Sequence, residues 1–465
     1  MKRATMILVL VLAVFGVFGQ DITGKWNGIL KVQGTQLRLV FNISKSDAGY
    51  TATMDSPDQG AKGIPVTSTT FENSKLKIVV ANIRMEYSGE LKGKTITGTF
   101  TQNGMVLPMD LSREEVQKQV LKRPQEPVKP YPYYEEDVTF QNIKDNFTLA
   151  GTLTLPKKDG KFPVVILISG SGPQNRNEEL MGHKPFLVLS DYLTKQGIAV
   201  LRYDDRGVGQ SKGVFKNATT ADFATDVEGA IAYLKTRKEI IPNKIGLVGH
   251  SEGGNIAPMV AARNKDVGFI VLLAGTGIRG DKLLLLQQEL IARAAGGKES
   301  DIKKNREINS RAFELILKSV NDETLKTDLK NLLTEELKKN PEDAKSKGMT
   351  AEELVTMQLN QTTTPWMLSF IRYDPATALE KVKCPVMAVN GDKDLQVPSK
   401  VNLPAIESAL KKGGNIQFTT KEFPGLNHLF QECKTGALSE YSEIEQTFSP
   451  VVMDEVAKWI FKQSK

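Results

Sequence analysis

The chain has 465 residues, of which 40% are hydrophobic and 25% charged, and a formal charge of +7. That length exceeds one ordinary core, so two or more units of a globular protein are expected. The positive charge is mild and spread out, with no basic block interleaved with aromatics, which argues against nucleic acid as a partner.

Met1-Lys2-Arg3 is a positive n-region, and Met6 to Phe18 is an apolar run. With Val17 and Gly19 small enough to flank a cleavage point before Gln20, residues 1–19 read as a signal peptide. The run is short for a membrane span, and no second stretch is long enough to make one. No cysteine stands near the cleavage point to carry a lipid anchor. A periplasmic or secreted protein with no integral span after cleavage is expected.

Residues 20–113 have period two: Leu37, Leu39, Phe41 and Ile43, then Leu76, Ile78 and Val80, then Met85, Tyr87 and Leu91. Turn signals such as Asp47-Ala48-Gly49, Asn73-Ser74 and Lys92-Gly93 separate the runs. Six to eight short strands are expected, in a small antiparallel all-β barrel or sandwich filled by its own side chains. Gly24-Lys25-Trp26 resembles the G-x-W that opens lipocalin-like barrels. Pro124, Pro127, Pro130 and Pro132 then keep the chain extended, and residues 114–135 read as a semi-rigid linker.

Over residues 136–465 strands alternate with helices. A hairpin (Val138–Ile143, Phe147–Leu155) precedes strands Val164–Ile168, Ala199–Tyr203, Ile245–Val248, Phe269–Leu273, Val386–Val389 and Ile416–Phe423. Helices are expected at Pro185–Lys195, Ala221–Lys235 and Ala405–Lys411, and from Ser449, an N-cap followed by proline at N1. Continuous apolar strands between helices imply an α/β domain with a mostly parallel, doubly covered sheet. Four amphipathic runs (Leu283–Ala294, Ile302–Val320, Glu323–Lys338, Ala351–Asn360) interrupt the alternation and predict a helical lid over about residues 279–373. In such sheets chemistry lies beyond the carboxyl ends of the strands.

Gly249-His250-Ser251-Glu252-Gly253 follows a strand and opens a helix, the setting a nucleophile elbow requires. Composition alone produces G-x-S-x-G, so the partners matter. There are three histidines. His250 adjoins the serine and its side chain should diverge from it, and His183 lies in a loop before a helix. His428 follows the last strand and is the expected base. Asp394, in Asn390-Gly391-Asp392-Lys393-Asp394, is the expected carboxylate, with Asp392 the alternative. The chain order Ser251, Asp394, His428 is that of α/β-hydrolases. An oxyanion hole needs two backbone donors: the Glu252 amide, and one from Ser169-Gly170-Ser171-Gly172-Pro173, where Ser171 is expected and Gly170 is the alternative. Asp205 and Arg206 are expected to lock loops together. Cys384 and Cys433, about 20 Å apart at opposite ends of a strand, should be unpaired.

The stretches GHSEGG, SGSGPQNRN, YDDRGVGQS, NGDKDLQVP and GLNHLF together resemble the α/β-hydrolase superfamily, and within it bacterial exported esterases of the serine-aminopeptidase-like (S33) group with an N-terminal β-domain. The resemblance implies an α/β-hydrolase fold, Ser251, Asp394 and His428 as triad, and the Ser171 and Glu252 amides as oxyanion hole. Many relatives have His-Gly where this chain has Ser169-Gly170, so loop detail transfers less well. The expected activity is hydrolysis of small or medium carboxylic esters through an acyl-enzyme, with no cofactor and no metal. The substrate would be a small-molecule ester or other acyl compound. An aminopeptidase or acyl-peptide hydrolase would need an acidic anchor for a substrate amine, for which Glu178, Glu179 or lid glutamates are available. A thioesterase of the same fold is a further reading, and so is a non-catalytic ligand-binding protein. Trp366, Met367 and Phe370 are candidate pocket residues from the lid.

Overall fold

The computed structural model describes residues 21–32, 35–47, 49–102, 105–115, 122–345 and 349–464. The expected signal peptide lies outside them. Two compact units separate, one ending before and one beginning after the undescribed residues 116–121.

The first unit contains β1 (Gly24–Val32), β2 (Thr35–Ser46), β3 (Gly49–Ser56), β4 (Ala61–Pro65), β5 (Ser68–Glu72), β6 (Lys75–Val80), β7 (Met85–Lys92), β8 (Thr95–Gln102), β9 (Met105–Pro108) and β10 (Leu111–Ser112). They form an antiparallel half-barrel in the order β4-β3-β2-β1-β10-β8-β7-β6-β5, with β9 added to β8. The alternating residues Leu39, Phe41 and Ile43 face a packed core with Trp26, Ile78, Met85, Tyr87 and Ile96. Ten strands among the described residues exceed the six to eight expected from periodicity. The additional ones are mostly polar and half-exposed, as in β4 and β5, or very short, as in β9 and β10. Such strands leave little apolar period to read.

The second unit is an eight-stranded sheet of β11 (Tyr134–Asn142), β12 (Phe147–Leu155), β13 (Phe162–Ile168), β14 (Ala199–Tyr203), β15 (Ile240–His250), β16 (Val267–Leu273), β17 (Val386–Gly391) and β18 (Phe418–Phe423). Its order is β11-β12-β14-β13-β15-β16-β17-β18. β11 and β12 join antiparallel, as do β12 and β14, and all other neighbours are parallel. Helices α1 (Pro185–Lys195), α2 (Thr220–Leu234) and α3 (Gly253–Ala261) precede the insertion. The insertion between β16 and β17 holds α4 (Gly280–Ala294), α5 (Glu299–Lys318), α6 (Asp322–Lys339), α7 (Glu342–Lys345), α8 (Ala351–Thr362), α9 (Pro365–Arg372) and α10 (Ala376–Leu379). After it come α11 (Ser399–Lys412), α12 (Leu438–Tyr441) and α13 (Pro450–Ser464).

Both sheet faces are covered, which explains the unbroken apolar strands. Along β13, Val164, Ile166 and Ile168 join one core with Val227 of α2, Ile256 of α3 and Ile406 of α11. Val165 and Leu167 join the opposite core with Leu189 of α1 and Val456 of α13. Each such side chain contributes about 1.5–3 kcal/mol on burial, so the strand ends have a stiff base. The insertion has its own small core of Phe313, Ile316, Leu325, Leu329 and Ile371. Its helix α9 was not among the expected amphipathic runs. Eight residues are too few for periodicity, yet Thr364 accepts the Met367 amide at 3.2 Å and Pro365 stands at N1. Proline likewise opens α13, at Pro450.

Candidate active site

Ser251 sits at φ +52°, a left-handed conformation costly for a residue with a Cβ. Its amide donates to the Leu273 carbonyl of β16 at 2.9 Å, which holds the turn against the sheet. The motif glycines are required by close approach. A Cβ on Gly249 would collide with the Gly253 carbonyl, and one on Gly253 with the Ile168 carbonyl of β13. The serine lines a cavity of about 200 Å³, which Ser171, Glu252, His428 and Trp366 also line.

Nδ1 of His428 lies 2.7 Å from Oδ2 of Asp394, and both side chains are buried. Asp394 Oδ1 accepts the Gln396 and Val397 amides, each at 2.8 Å, so the carboxylate is fixed before it orients the ring. A carboxylate at Nδ1 selects the tautomer with the proton there and leaves Nε2 as an acceptor. Asp392 is exposed and instead accepts the Gly425 amide at 2.6 Å. It does not meet the histidine.

The other histidines have different surroundings. His183 is fully buried, with Nε2 donating to the Tyr441 carbonyl at 2.8 Å, and burial pushes its pKa down to about 4. His250 packs its ring on that of His428, with centroids 4.8 Å apart. Its Nε2 lies 3.0 Å from the His428 carbonyl oxygen and its Nδ1 2.9 Å from Oε1 of buried Glu178. Burial opposes a charge on this ring, but the Glu178 carboxylate outweighs it and raises the His250 pKa above the ordinary imidazole value.

The loop after β13 is tied down by carboxylates. Asp205 accepts the Ser169 hydroxyl and the Gln174 amide, both at 2.9 Å, and burial pushes its pKa up to about 7. Arg206 pairs with Asp226 at 2.8 Å and Asp145 at 3.1 Å, so both residues lock loops, as expected. Glu178 Oε1 takes the Gly170 amide at 2.7 Å, which withdraws Gly170 as an oxyanion donor. Among the described residues, the Ser171 and Glu252 amides have no acceptor within the protein.

Sequence reasoning missed the Glu252 side chain. Its buried Oε1 accepts the Thr220 hydroxyl at 2.6 Å and the indole N–H of Trp366 at 2.8 Å. Burial raises its pKa, against the hydrogen bonds it receives. Trp366 of α9 stacks on Phe370 at 5.1 Å, so this carboxyl connects the elbow to the lid. No local signal announces such a contact, because the partners are 114 residues apart. Among the described residues no cluster of His, Cys, Asp and Glu is arranged to hold a metal ion. None of the described helices is long and apolar enough to cross a membrane. Cys384 and Cys433 are unpaired.

A mostly parallel sheet with a strained serine after β15, a histidine after β18 and a helical insertion between β16 and β17 has the architecture of an α/β-hydrolase. The family described as Hydrolase_4, serine aminopeptidase S33, matches residues 185–432, and the chain belongs to it. It is similar to esterase EstD of Thermotoga maritima, 27% identical over 342 residues that cover 72% of this chain and 69% of the relative. It is also similar to a putative carboxymethylenebutenolidase of Synechocystis, 25% identical over 140 residues, 27% of this chain and 52% of that protein. Among solved structures, the Pyrococcus furiosus esterase Pf2001 aligns with a TM-score of 0.41 at 15% identity, covering 75% of this chain and 98% of that one.

Proposed function

We propose that this chain is a serine hydrolase that cleaves carboxylic esters through a covalent acyl-enzyme. The observation that carries the reading is the 2.7 Å His428–Asp394 hydrogen bond at the cavity that also holds strained Ser251. His428 Nε2 takes the Ser251 hydroxyl proton as Oγ bonds to the ester carbonyl carbon. The carbonyl oxygen becomes an oxyanion held by the Ser171 and Glu252 amides, at the positive N-terminus of α3. Collapse breaks the bond to the alkoxy oxygen, which leaves as the alcohol with the proton from His428. Water then attacks the acyl-enzyme by the same route and releases the acid. Asp394 orients the ring and stabilises its transient positive charge.

Ester rather than aminoacyl substrates are favoured by the state of the acidic groups. Glu178 is committed to His250 and Gly170, and Glu252 to Thr220 and Trp366. Neither is a free anchor for a substrate amine, and among the described residues no lysine or arginine lines the cavity to attract an anionic acyl group. A volume of about 200 Å³ suits a short acyl chain. A fluorophosphonate probe should label the wild type and not Ser251→Ala, and p-nitrophenyl esters should turn over faster than aminoacyl-anilides. A folded wild type that is not labelled would sink the enzyme reading, and faster anilide turnover would transfer it to an aminopeptidase.

A further inference from the structure

The oxyanion loop follows β13, the serine follows β15 and His428 follows β18, so three separate strands must bring their loops into register. One pair of side chains touches all three. Glu178 Oε1 receives the Gly170 amide of the first loop and faces Nδ1 of His250, the residue before Ser251. His250 Nε2 in turn faces the backbone carbonyl of His428. Both side chains are buried, Glu178 at 3% and His250 at 7% exposure.

The hydrogen bonds determine where the protons are. A carbonyl oxygen only accepts, so Nε2 of His250 carries a proton. The Glu178 oxygen facing Nδ1 already accepts the Gly170 N–H, a role that suits a carboxylate, so Nδ1 carries a proton too. With both nitrogens donating, the ring is an imidazolium beside a buried carboxylate. The charged groups facing it are Glu178 and Asp394, and the neutral His428 ring packs against it.

We infer that Glu178 and His250 are positioning residues whose buried ion pair holds the oxyanion loop and the His428 backbone in one geometry. This rests on the serine-hydrolase reading, and it adds a second carboxylate–histidine pair beside Asp394–His428. The pair acts through its neighbours. In Glu178→Gln no arrangement keeps every contact. A neutral ring protonated at Nε2 turns an Nδ1 lone pair toward the amide oxygen that Gly170 requires. One protonated at Nδ1 turns a lone pair toward the His428 carbonyl. An imidazolium would be left without its counter-charge.

The test uses the full chain with ¹⁵N-labelled histidines, whose three rings are assigned by His183→Gln and His250→Gln. At pH 8 the wild type should show both His250 nitrogens protonated. Glu178→Gln, checked for fold by circular dichroism, should lower kcat for p-nitrophenyl acetate by on the order of 10–100-fold with KM changed less than about threefold, since misplacing reacting groups by an ångström costs about that much. The rate of fluorophosphonate labelling of Ser251 should fall in parallel. A neutral His250 at pH 8 overturns the inference, as does a folded Glu178→Gln with wild-type kcat and labelling rate. If that variant fails to fold, His250→Gln supplies the rates and the wild-type spectrum decides the protonation. A wild type that neither labels nor turns over esters defeats the hydrolase reading, while the His250 spectrum still judges the ion pair.

Discussion

In the sheet of the second unit, β14 and β17 are buried at every residue, with apolar partners on both faces. In the insertion, α5 and α6 bury one side only and cover the other with half-exposed ion pairs such as Arg311–Glu336 at 2.6 Å. Exposed pairs of this kind are worth about 0–1 kcal/mol each, so the insertion depends on a thin apolar seam. The difference separates two tasks. Groups that must meet within tenths of an ångström stand on loops anchored by the doubly packed strands. The groups that bound the rest of the cavity, such as Trp366, stand on helices that can shift more easily.

Substitutions in the two regions test this contrast. Asp394→Asn should have the largest effect, lowering kcat by about 10⁴-fold in a steady-state ester assay, because His428 would lose its tautomer as well as its charge partner. An effect below tenfold would remove Asp394 from the proposed triad. Next, Leu247→Ala in β15 should cost about 2–5 kcal/mol in a urea titration. Leu329→Ala in α6 should fall at the lower end, because the insertion can close part of its cavity. Equal losses would erase the difference in rigidity. Trp366→Phe keeps an aromatic ring beside Phe370 and deletes the donor to Glu252, so a cost of about 1 kcal/mol is expected. It should appear as a several-fold change in KM with kcat nearly unchanged.

The last effect concerns pH. The Asp205 pKa is raised from 3.8 to about 7, so the folded state holds this proton more tightly than the unfolded chain does. The stability it contributes is complete below pH 3.8 and is lost as the pH rises to about 7. Asp205→Asn should remove that slope. The difference in melting temperature between wild type and variant should drift between about pH 4 and 7 and be flat above.

The architecture was legible wherever burial leaves a period in the chain. Helix Pro185–Lys195 and strand Ala199–Tyr203 have the same bounds in the sequence reading and in the structure. The polar strands β4 and β5 and the eight-residue α9 were not legible, because elements that short or that exposed carry no period. In the candidate site, Ser251, Asp394 and His428 could be read because each follows a strand end and only three histidines compete.

The amino-acid order by itself determined the β–α alternation, the elbow and the rarity of possible bases, since these depend on local patterning and residue type. Tertiary structure alone decided that Glu178 binds His250 and Gly170 and that Glu252 holds Trp366. Those contacts join residues from 8 to 114 positions apart in the chain, most of them in loops. Their partners are selected by which strand ends lie side by side in the sheet, and no local pattern records that.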